Sequence, residues 1–424
     1  MSGKWYLPTP IVVVRNIILL IFFLFGCVSI VWTQRVFLFI LKDRPKYRHS
    51  MINLTKRHFL QLFTFVISIL NSTTISITYD PSKLPLENSF SQLPGNLIST
   101  SLSPNSVMIS NHQIYTDWFY LWFLNYTSRL SEFVYIIMKD MSKTPILGYG
   151  MTNFNFMFLS RKWDEDKIKL TSQLLEVDAN ARGSGPASGV RHVTSFRATT
   201  SVSDVQSWPK EKVSDDISPY QILLFPEGTV PSLRTTKKSR EFCDANNLPP
   251  LKHVLLPRIR GLFLVLRKLR GTVEVVYDIT TAYGGLKAGE FGEDIFTLKG
   301  LFLLSRGPEK INYHFRSFRI EDIPLGDDDV ADVDLVDEET LKKFENWLFQ
   351  IWYEKDALMD SFYKHGSFVS PNSSSNNTVE KVSQHTVEGG VKLRSVLEII
   401  PVFGTAGATV LLLVGLYRLL RFFF

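Results

Sequence analysis

The chain has 424 residues, enough for one large domain or two ordinary ones with a substantial core. Its net charge of +6 suits an anionic membrane surface or a phosphate-bearing substrate and is too small to indicate nucleic-acid binding. Its two cysteines exclude a disulfide framework and a multi-cysteine zinc site, and no metal site is predicted.

The first 72 residues are predicted to form a membrane anchor. Residues 11–41 are almost continuously apolar and, at about 1.5 Å per residue, can cross a hydrocarbon core of roughly 30 Å. A signal peptide is the alternative, but the run is too long for one and no small-residue cleavage site follows it. The basic flank after this run predicts a cytosolic side. Residues 59–70 form a shorter apolar stretch, which is expected to lie in the interface or to re-enter one leaflet.

Residues 72–105 are rich in Ser, Pro and Asn and are interpreted as a connection. Beyond them, short apolar runs alternate with helical stretches, which predicts an α/β domain over 105–365 with a mixed sheet flanked by helices. The predicted strands are VMIS, FVYIIM, FMFLS, QILLF, HVLLP, VEVVYDIT and INYHF. Residues 179–216 have no sustained period and are expected to be a disordered insertion.

The C-terminal part begins with a long amphipathic helix, EETLKKFENWLFQIWYEKDALMDSFYK. A polar linker is predicted over 366–395. Residues 396–417 are then apolar enough for a second transmembrane helix. Glu398 and Pro401 lie near the beginning of this segment and leave its first residue open.

The stretch SNHQIYTDW contains His112 and Asp117. Five positions correspond to about 140° on an ideal helix, so the two side chains would not share a helix face. They can meet if His112 lies in the loop after the VMIS strand and Asp117 lies in the first turn of the next helix. The carboxylate would then accept the Nδ1–H and leave Nε2 free to take a proton. The alternative is an ordinary surface or core histidine.

A histidine base needs a group to deprotonate. The sequence has no Gly-x-Ser-x-Gly nucleophile elbow and no plausible catalytic cysteine. The attacking hydroxyl is therefore expected to belong to the substrate, as in direct transfer of an acyl group to an alcohol.

Three further stretches follow predicted strands. LLFPEGT places Glu227 where α/β sheets usually bind ligands, although Pro–Glu–Gly is also a common turn. Arg161 ends the FMFLS strand, where it can bind a phosphate or form a surface salt bridge. HVLLPRIRG carries Arg258 and Arg260 and is interpreted as substrate wall or core.

Taken in chain order, these four stretches resemble the glycerolipid acyltransferase family, which makes phosphatidic acid and remodels lysophospholipids. The family's boxes are matched by Asn111, His112 and Asp117; by Gly148 or Gly150, Phe158 and Arg161; by Phe225 to Thr229; and by Leu255, Leu256 and Pro257. VYDITTAY and WLFQIWYEKDALMDSFY are similar to the eukaryotic lysophosphatidic-acid, lysocardiolipin and lysophosphatidylinositol acyltransferase branch. The resemblance covers about residues 105–365 and the layout of the anchor.

The resemblance implies that His112 deprotonates a glycerol hydroxyl, which attacks the thioester of an acyl-CoA, while Asp117 orients the base. It implies substrate binding by Asn111, Arg161, Glu227, Gly228, Thr229 and Pro257. It also implies that acyl-CoA is a co-substrate and that no cofactor is bound. The expected partners are acyl-CoA, a lysophospholipid acceptor and membrane lipids, with no nucleic acid. The expected location is the endoplasmic reticulum membrane.

One position departs from the family pattern. Many members have Arg directly after Glu-Gly-Thr, whereas this chain has Val230. The replacement cation could be Arg234, Lys237, Lys238 or Arg240, and Lys139 and Lys143 are further candidates for phosphate or CoA contact. Alternative functions are a catalytically idle membrane-tethered lipid-binding protein, a transacylase with a phospholipid donor, and a hydrolase that uses water.

Overall fold

The computed structural model describes residues 9–86, 89–160, 162–191, 194–197, 204–211, 213, 216–327, 333–369 and 384–423. The helices are α1 (Thr9–Ile40), α2 (Pro45–Leu70), α3 (Asp117–Thr127), α4 (Leu147–Asn153), α5 (Trp163–Ala181), α6 (Leu233–Ala245), α7 (Ile259–Leu269), α8 (Gly292–Ile295), α9 (Leu298–Leu304), α10 (Glu338–His365) and α11 (Gly404–Phe423). The strands are β1 (Thr74–Tyr79), β2 (Phe90–Leu93), β3 (Leu97–Thr100), β4 (Asn105–Ser110), β5 (Val134–Lys139), β6 (Met157–Leu159), β7 (Thr194–Arg197), β8 (Asp204–Ser207), β9 (Tyr220–Leu224), β10 (Val275–Tyr283), β11 (Lys310–Arg319) and β12 (His385–Gly390).

The main sheet has eight strands in the order β12-β1-β11-β10-β4-β9-β5-β6. Strands β10, β4, β9, β5 and β6 are mutually parallel, while β11 runs antiparallel to β10. Strand β1 is parallel to β11, and β12 is antiparallel to β1. The predicted α/β class with a mixed sheet flanked by helices is therefore confirmed.

The parallel strands are buried on both faces, which explains their continuous apolar runs. Successive side chains of a strand point to opposite faces, so Val107 and Ile109 pack on one side of β4 and Met108 on the other. One face is covered by α1, α2 and α3, and the opposite face by α5, α7 and α10. The helices thus leave the ends of the strands as the place where loops meet.

Helix α2 packs tightly between α1 and α3. A Cβ added to Gly26 of α1 would lie 2.5 Å from Leu62 Cδ2, so the Leu62 side chain occupies the space that the glycine leaves. On the side of α3, the ring of Phe59 stacks on Trp122 and that of Phe63 lies 4.4 Å from Phe119. Residues 59–70, predicted to lie in the interface or to re-enter one leaflet, are thus mostly buried against protein at the C-terminal end of α2.

Two helical segments are long and apolar enough to cross a membrane. One is α1 and the other is Val396–Phe423, which consists of a 3₁₀ segment (Val396–Phe403) followed by α11. The two segments contact each other, since Ser29 Oγ donates to Val402 O at 2.8 Å and Trp32 Nε1 to Thr409 Oγ1 at 3.0 Å. Glu398, near the beginning of the second segment, accepts hydrogen bonds from Gln61 and Tyr126.

Two predicted connecting segments contribute strands. The connection predicted over 72–105 contains β1, and the linker predicted over 366–395 contains β12, which pairs with it. In β1 the apolar side chains of Ile75, Ile77 and Tyr79 alternate with buried polar side chains. These polar groups find partners across the pair, as when Ser76 Oγ donates to Glu388 Oε1 at 2.9 Å. Both segments look like polar connections in the sequence, because the hydrogen-bond partners of their polar groups lie about 300 residues away.

The HVLLP stretch is a loop and not the predicted strand. The backbone N–H groups of Lys252, His253 and Val254 all donate to the Asp356 carboxylate of α10, at 2.7–3.2 Å. Since one carboxylate accepts three successive N–H groups, the segment curls around it and cannot form a ladder with a neighbouring strand.

The insertion predicted over 179–216 is ordered where the structure describes it. Helix α5 continues to Ala181, and Arg182 forms a largely buried ion pair with Asp178 at 2.6 Å. A 3₁₀ turn follows at Pro186–Ser188, and β7 pairs with β8 as a hairpin. The prediction of disorder is therefore wrong for these residues.

Candidate active site

The candidate residues converge at the carboxyl ends of the parallel strands. Strand β4 ends two residues before His112, and β9 ends two residues before Pro226 in the Pro–Glu–Gly turn. Strands β4 and β9 are direct neighbours, which brings the two segments together. Ligands of open α/β sheets bind at this edge.

His112 and Asp117 form the expected pair. His112 lies in the loop after β4 and Asp117 is the first residue of α3, with Nδ1 2.8 Å from Oδ2. The Asp117 side chain is fully buried, whereas that of His112 is 17% exposed. Because an ionised carboxylate only accepts, Nδ1 carries the hydrogen and Nε2 is the basic nitrogen. Among the described residues, Nε2 has no hydrogen-bond partner, so it is available to a substrate.

Asp117 is fixed by donors other than the histidine. Its Oδ2 also accepts from the backbone N–H of Gln113 at 2.6 Å and of Ile114 at 3.0 Å. Its Oδ1 accepts from the hydroxyl of Tyr283, at the carboxyl end of β10. Tyr283 was not among the predicted site residues. Its position as the last residue of VYDITTAY, at the end of a predicted strand, was the signal that could have identified it. Four donors and the amino end of α3 together stabilise the carboxylate in one orientation.

Asn111 links the loop to β10 rather than pointing at a substrate. Its Nδ2 donates to Thr281 O at 2.9 Å and its Oδ1 accepts from Thr281 N at 2.8 Å. The side chain is completely buried. Both polar atoms of the amide are therefore used to position the residue before His112, which places Asn111 in a structural role.

Phe225 and Glu227 support His112 from the other side. The Phe225 ring stacks on the imidazole with centroids 4.3 Å apart. The Glu227 side chain is buried and accepts from the Trp352 indole of α10 at 3.3 Å. Burial raises the pKa of Glu227 from 4.5 to about 8, against the lowering effects of Trp352 and of nearby backbone N–H groups. The carboxyl group is therefore mostly protonated at neutral pH. It lies next to the backbone of His112.

The raised pKa of Glu227 predicts a pH-dependent stability. The folded state keeps this proton up to about pH 8, whereas the unfolded chain loses it near 4.5. The stabilising contribution is therefore complete below about pH 4.5 and is lost as the pH rises through 8. Glu227→Gln should make the loss of stability with rising pH less steep, because glutamine has no proton to lose in this range. The midpoint of thermal unfolding in detergent between pH 5 and 8.5 measures this effect. If the stability of the variant falls as steeply with pH as that of the wild type, Glu227 is not the cause of the pH dependence.

The other predicted substrate-binding residues are placed as follows. Gly228 is exposed with φ +71° and Thr229 is half-buried, while Pro257 is buried. Arg161 lies outside the described residues. Val230, directly after Glu-Gly-Thr, is buried. Among the residues that the structure describes, no group of three or more His, Cys, Asp and Glu side chains is placed to hold a metal ion.

A buried ion pair attaches α10 to the strand that supports the site. Lys355 is fully buried and donates from Nζ to Asp278 Oδ1 at 2.7 Å and to Ile279 O at 2.8 Å. Arg316 donates to the second oxygen of Asp278 at 2.7 Å. Burial would raise the pKa of Asp278, but the charges of Lys355 and Arg316 outweigh it and hold that pKa below its ordinary value. Strand β10 continues from this pair directly to Thr281 and Tyr283.

Comparison with known proteins agrees with this arrangement. The family model "Acyltransferase" matches residues 92–280, and "Acyltransferase C-terminus" matches 302–387. A 2-acyl-1-lysophosphatidylinositol acyltransferase of Saccharomyces cerevisiae is 38% identical over 380 residues, which cover 89% of this chain and 91% of that protein. Lysophosphatidylinositol acyltransferase 10 of Caenorhabditis elegans is 28% identical, covering 61% of this chain and 53% of its own.

A third relative, lysocardiolipin acyltransferase 1 of Danio rerio, is 26% identical over 61% of this chain and 53% of its own length. No solved structure matches. The His–Asp pair stands at the sheet edge inside the matched region, and the first of these relatives is similar over nearly the whole chain. The chain therefore belongs to the glycerolipid and lysophospholipid acyltransferase family.

Proposed function

We propose that this protein is a membrane-bound enzyme that transfers a fatty acyl group from acyl-CoA to the free glycerol hydroxyl of a lysophospholipid. The observation that carries the proposal is the His112–Asp117 pair, in which the tautomer is fixed and Nε2 is free of protein partners among the described residues. A base without an enzyme nucleophile suits a substrate that brings its own hydroxyl.

The reaction follows from this geometry. Nε2 of His112 takes the proton as the hydroxyl oxygen attacks the thioester carbonyl, and Asp117 stabilises the imidazolium that forms. The tetrahedral intermediate then collapses with cleavage of the carbon–sulfur bond. The CoA thiolate recovers the proton from His112, so the products are CoA and a diacylated phospholipid. The base ends the cycle neutral and ready for another acceptor.

Among lysophospholipids, lysophosphatidylinositol is the first acceptor to test. The name of the yeast relative supports this choice because similarity to it extends over most of both chains. The departure at Val230 also distinguishes the site from family members that carry Arg there. Lysocardiolipin and lysophosphatidic acid are the other acceptors of the branch.

We further propose that α1 and the Val396–Phe423 segment cross the endoplasmic reticulum membrane. Both substrates are amphiphiles, so a site held at the interface meets them where they concentrate. The basic residues that follow α1 suit an anionic membrane surface.

An acceptor panel tests the proposal. Purified protein in detergent should transfer labelled acyl groups from acyl-CoA to lysophosphatidylinositol with a higher kcat/KM than to lysophosphatidic acid. Omitting acyl-CoA and supplying labelled phosphatidylcholine should give no product, since the reaction needs the thioester. Transfer only from phosphatidylcholine would establish a transacylase, and no transfer to any lysolipid from either donor would contradict the proposal.

A further inference from the structure

The Pro–Glu–Gly turn lies beside the base but has no cation of its own. The residue directly after Glu-Gly-Thr is Val230, which is uncharged and buried. A lysophospholipid acceptor carries its phosphate on the same glycerol as the attacking hydroxyl. A cation for that phosphate must therefore lie close to His112, and it has to come from another segment.

Arg258 reaches this turn from the loop before α7. Its backbone N–H donates to Pro226 O at 2.8 Å, which attaches the loop to the turn. Its guanidinium lies over Gly228, because a Cβ added there would meet Arg258 Nε at 3.2 Å and Cζ at 3.3 Å. Gly228 N in turn donates to Phe225 O at 2.9 Å, and the Phe225 ring stacks on His112. Gly228 and Phe225 thus connect the arginine to the base through three successive contacts.

The guanidinium is free to bind an anion. Arg258 is exposed, and within the described part of the chain its side chain forms no hydrogen bond or ion pair. Its neighbour Arg260 lies 3.8 Å from Asp334, and Lys237 of α6 lies 3.8 Å from Glu241. Arg234, Lys238 and Arg240 are exposed on α6, after the turn has ended. Of these cations, Arg258 is the one in contact with Gly228.

Resting on the proposed function, we propose that Arg258 binds the phosphate of the lysophospholipid acceptor and so determines the specificity of the site. Its planar fork can form two parallel hydrogen bonds to phosphate oxygens. Gly228 is the matching half of this arrangement: it adopts φ +71°, and its missing side chain leaves room for the guanidinium. The phosphate would lie beside the base, with the glycerol hydroxyl turned towards Nε2.

Steady-state kinetics with lysophosphatidylinositol and acyl-CoA test this assignment, because CoA also carries phosphates. Arg258→Ala should raise KM for lysophosphatidylinositol about 10–100-fold, as expected for loss of charge-assisted hydrogen bonds, and leave KM for acyl-CoA unchanged. The KM of Arg258→Lys for lysophosphatidylinositol should lie between those of the wild type and Arg258→Ala. The lysine keeps a positive charge that attracts the phosphate, but it cannot form the two parallel hydrogen bonds of a guanidinium. Arg260→Ala is the matched control and should retain wild-type constants.

Several outcomes would overturn the assignment. One is a rise in KM for acyl-CoA alone, which would assign Arg258 to the CoA phosphates. Another is unchanged KM for both substrates, or a selective loss in Arg234→Ala that Arg258→Ala does not show. Arg258→Gln, which keeps a long polar side chain, repeats the test if the alanine variant fails to fold. Absence of transfer by the wild type would instead overturn the proposed function.

Discussion

His112→Ala is expected to lower kcat for acyl transfer about 10²–10⁴-fold, the usual contribution of a positioned general base. The KM for lysophosphatidylinositol should change little, because the imidazole acts on the hydroxyl and not on the head group. Asp117→Asn should also lower kcat far more than it raises KM, since an amide can no longer hold the tautomer with Nε2 basic. Initial rates at saturating acyl-CoA measure both effects.

A second histidine–carboxylate pair provides the control. His253 Nε2 lies 3.2 Å from Asp360 Oδ1. Asp360 belongs to α10, so this pair is separate from His112 and Asp117. His253→Ala removes an imidazole from a His–Asp pair without touching the base and should keep the wild-type kcat. Equal transfer by wild type and His112→Ala would contradict the catalytic role of His112.

Lys355→Met is expected to destabilise the protein by about 3 kcal/mol or more, because it leaves the buried Asp278 carboxylate with Arg316 as its remaining ion partner. The substitution also removes the donor to Ile279 O. We expect the midpoint of thermal unfolding in detergent to fall by about 5–15 °C. The kcat should fall too, since β10 carries Thr281 and Tyr283, which position Asn111 and Asp117.

Two comparisons separate this buried pair from ordinary surface charge. Adding Asp278→Asn to Lys355→Met should recover much of the lost stability, because the unpaired buried charge is then removed. Lys343→Met, on the same helix, breaks a solvent-exposed pair with Glu339 and should not change the midpoint measurably. If Lys355→Met and Lys343→Met lower the midpoint of thermal unfolding equally, the buried pair contributes no more to stability than an exposed one.

The sequence predicted those features that depend on neighbouring residues. The apolar runs of β4, β9 and β10 identify central strands because burial on both faces removes polar side chains from them. The His112–Asp117 contact was predictable since both residues lie within one strand–loop–helix connection. The Pro–Glu–Gly turn was likewise visible as a turn, and its glycine has the positive φ that such a turn uses.

Contacts between distant segments could not be predicted in this way. Trp352, Lys355 and Asp356 come from a helix more than a hundred residues after the Pro–Glu–Gly turn, and nothing in their own spacing indicates what they meet. Asp356 also explains why HVLLP is not a strand, because the loop bends around a carboxylate that α10 supplies. Strands β1 and β12 escaped notice since the polar side chains of β1 find their partners on β12, about 300 residues later in the chain.

Release of CoA from acyl-CoA by the purified protein, with and without lysophosphatidylinositol, tests the direct-transfer mechanism most directly. If the lipid hydroxyl is the nucleophile, CoA should appear only when the acceptor is present, in equal amount with the phosphatidylinositol formed and at a rate that depends on His112. A burst of CoA without acceptor, equal in amount to the enzyme, would reveal an acyl-enzyme and contradict the mechanism.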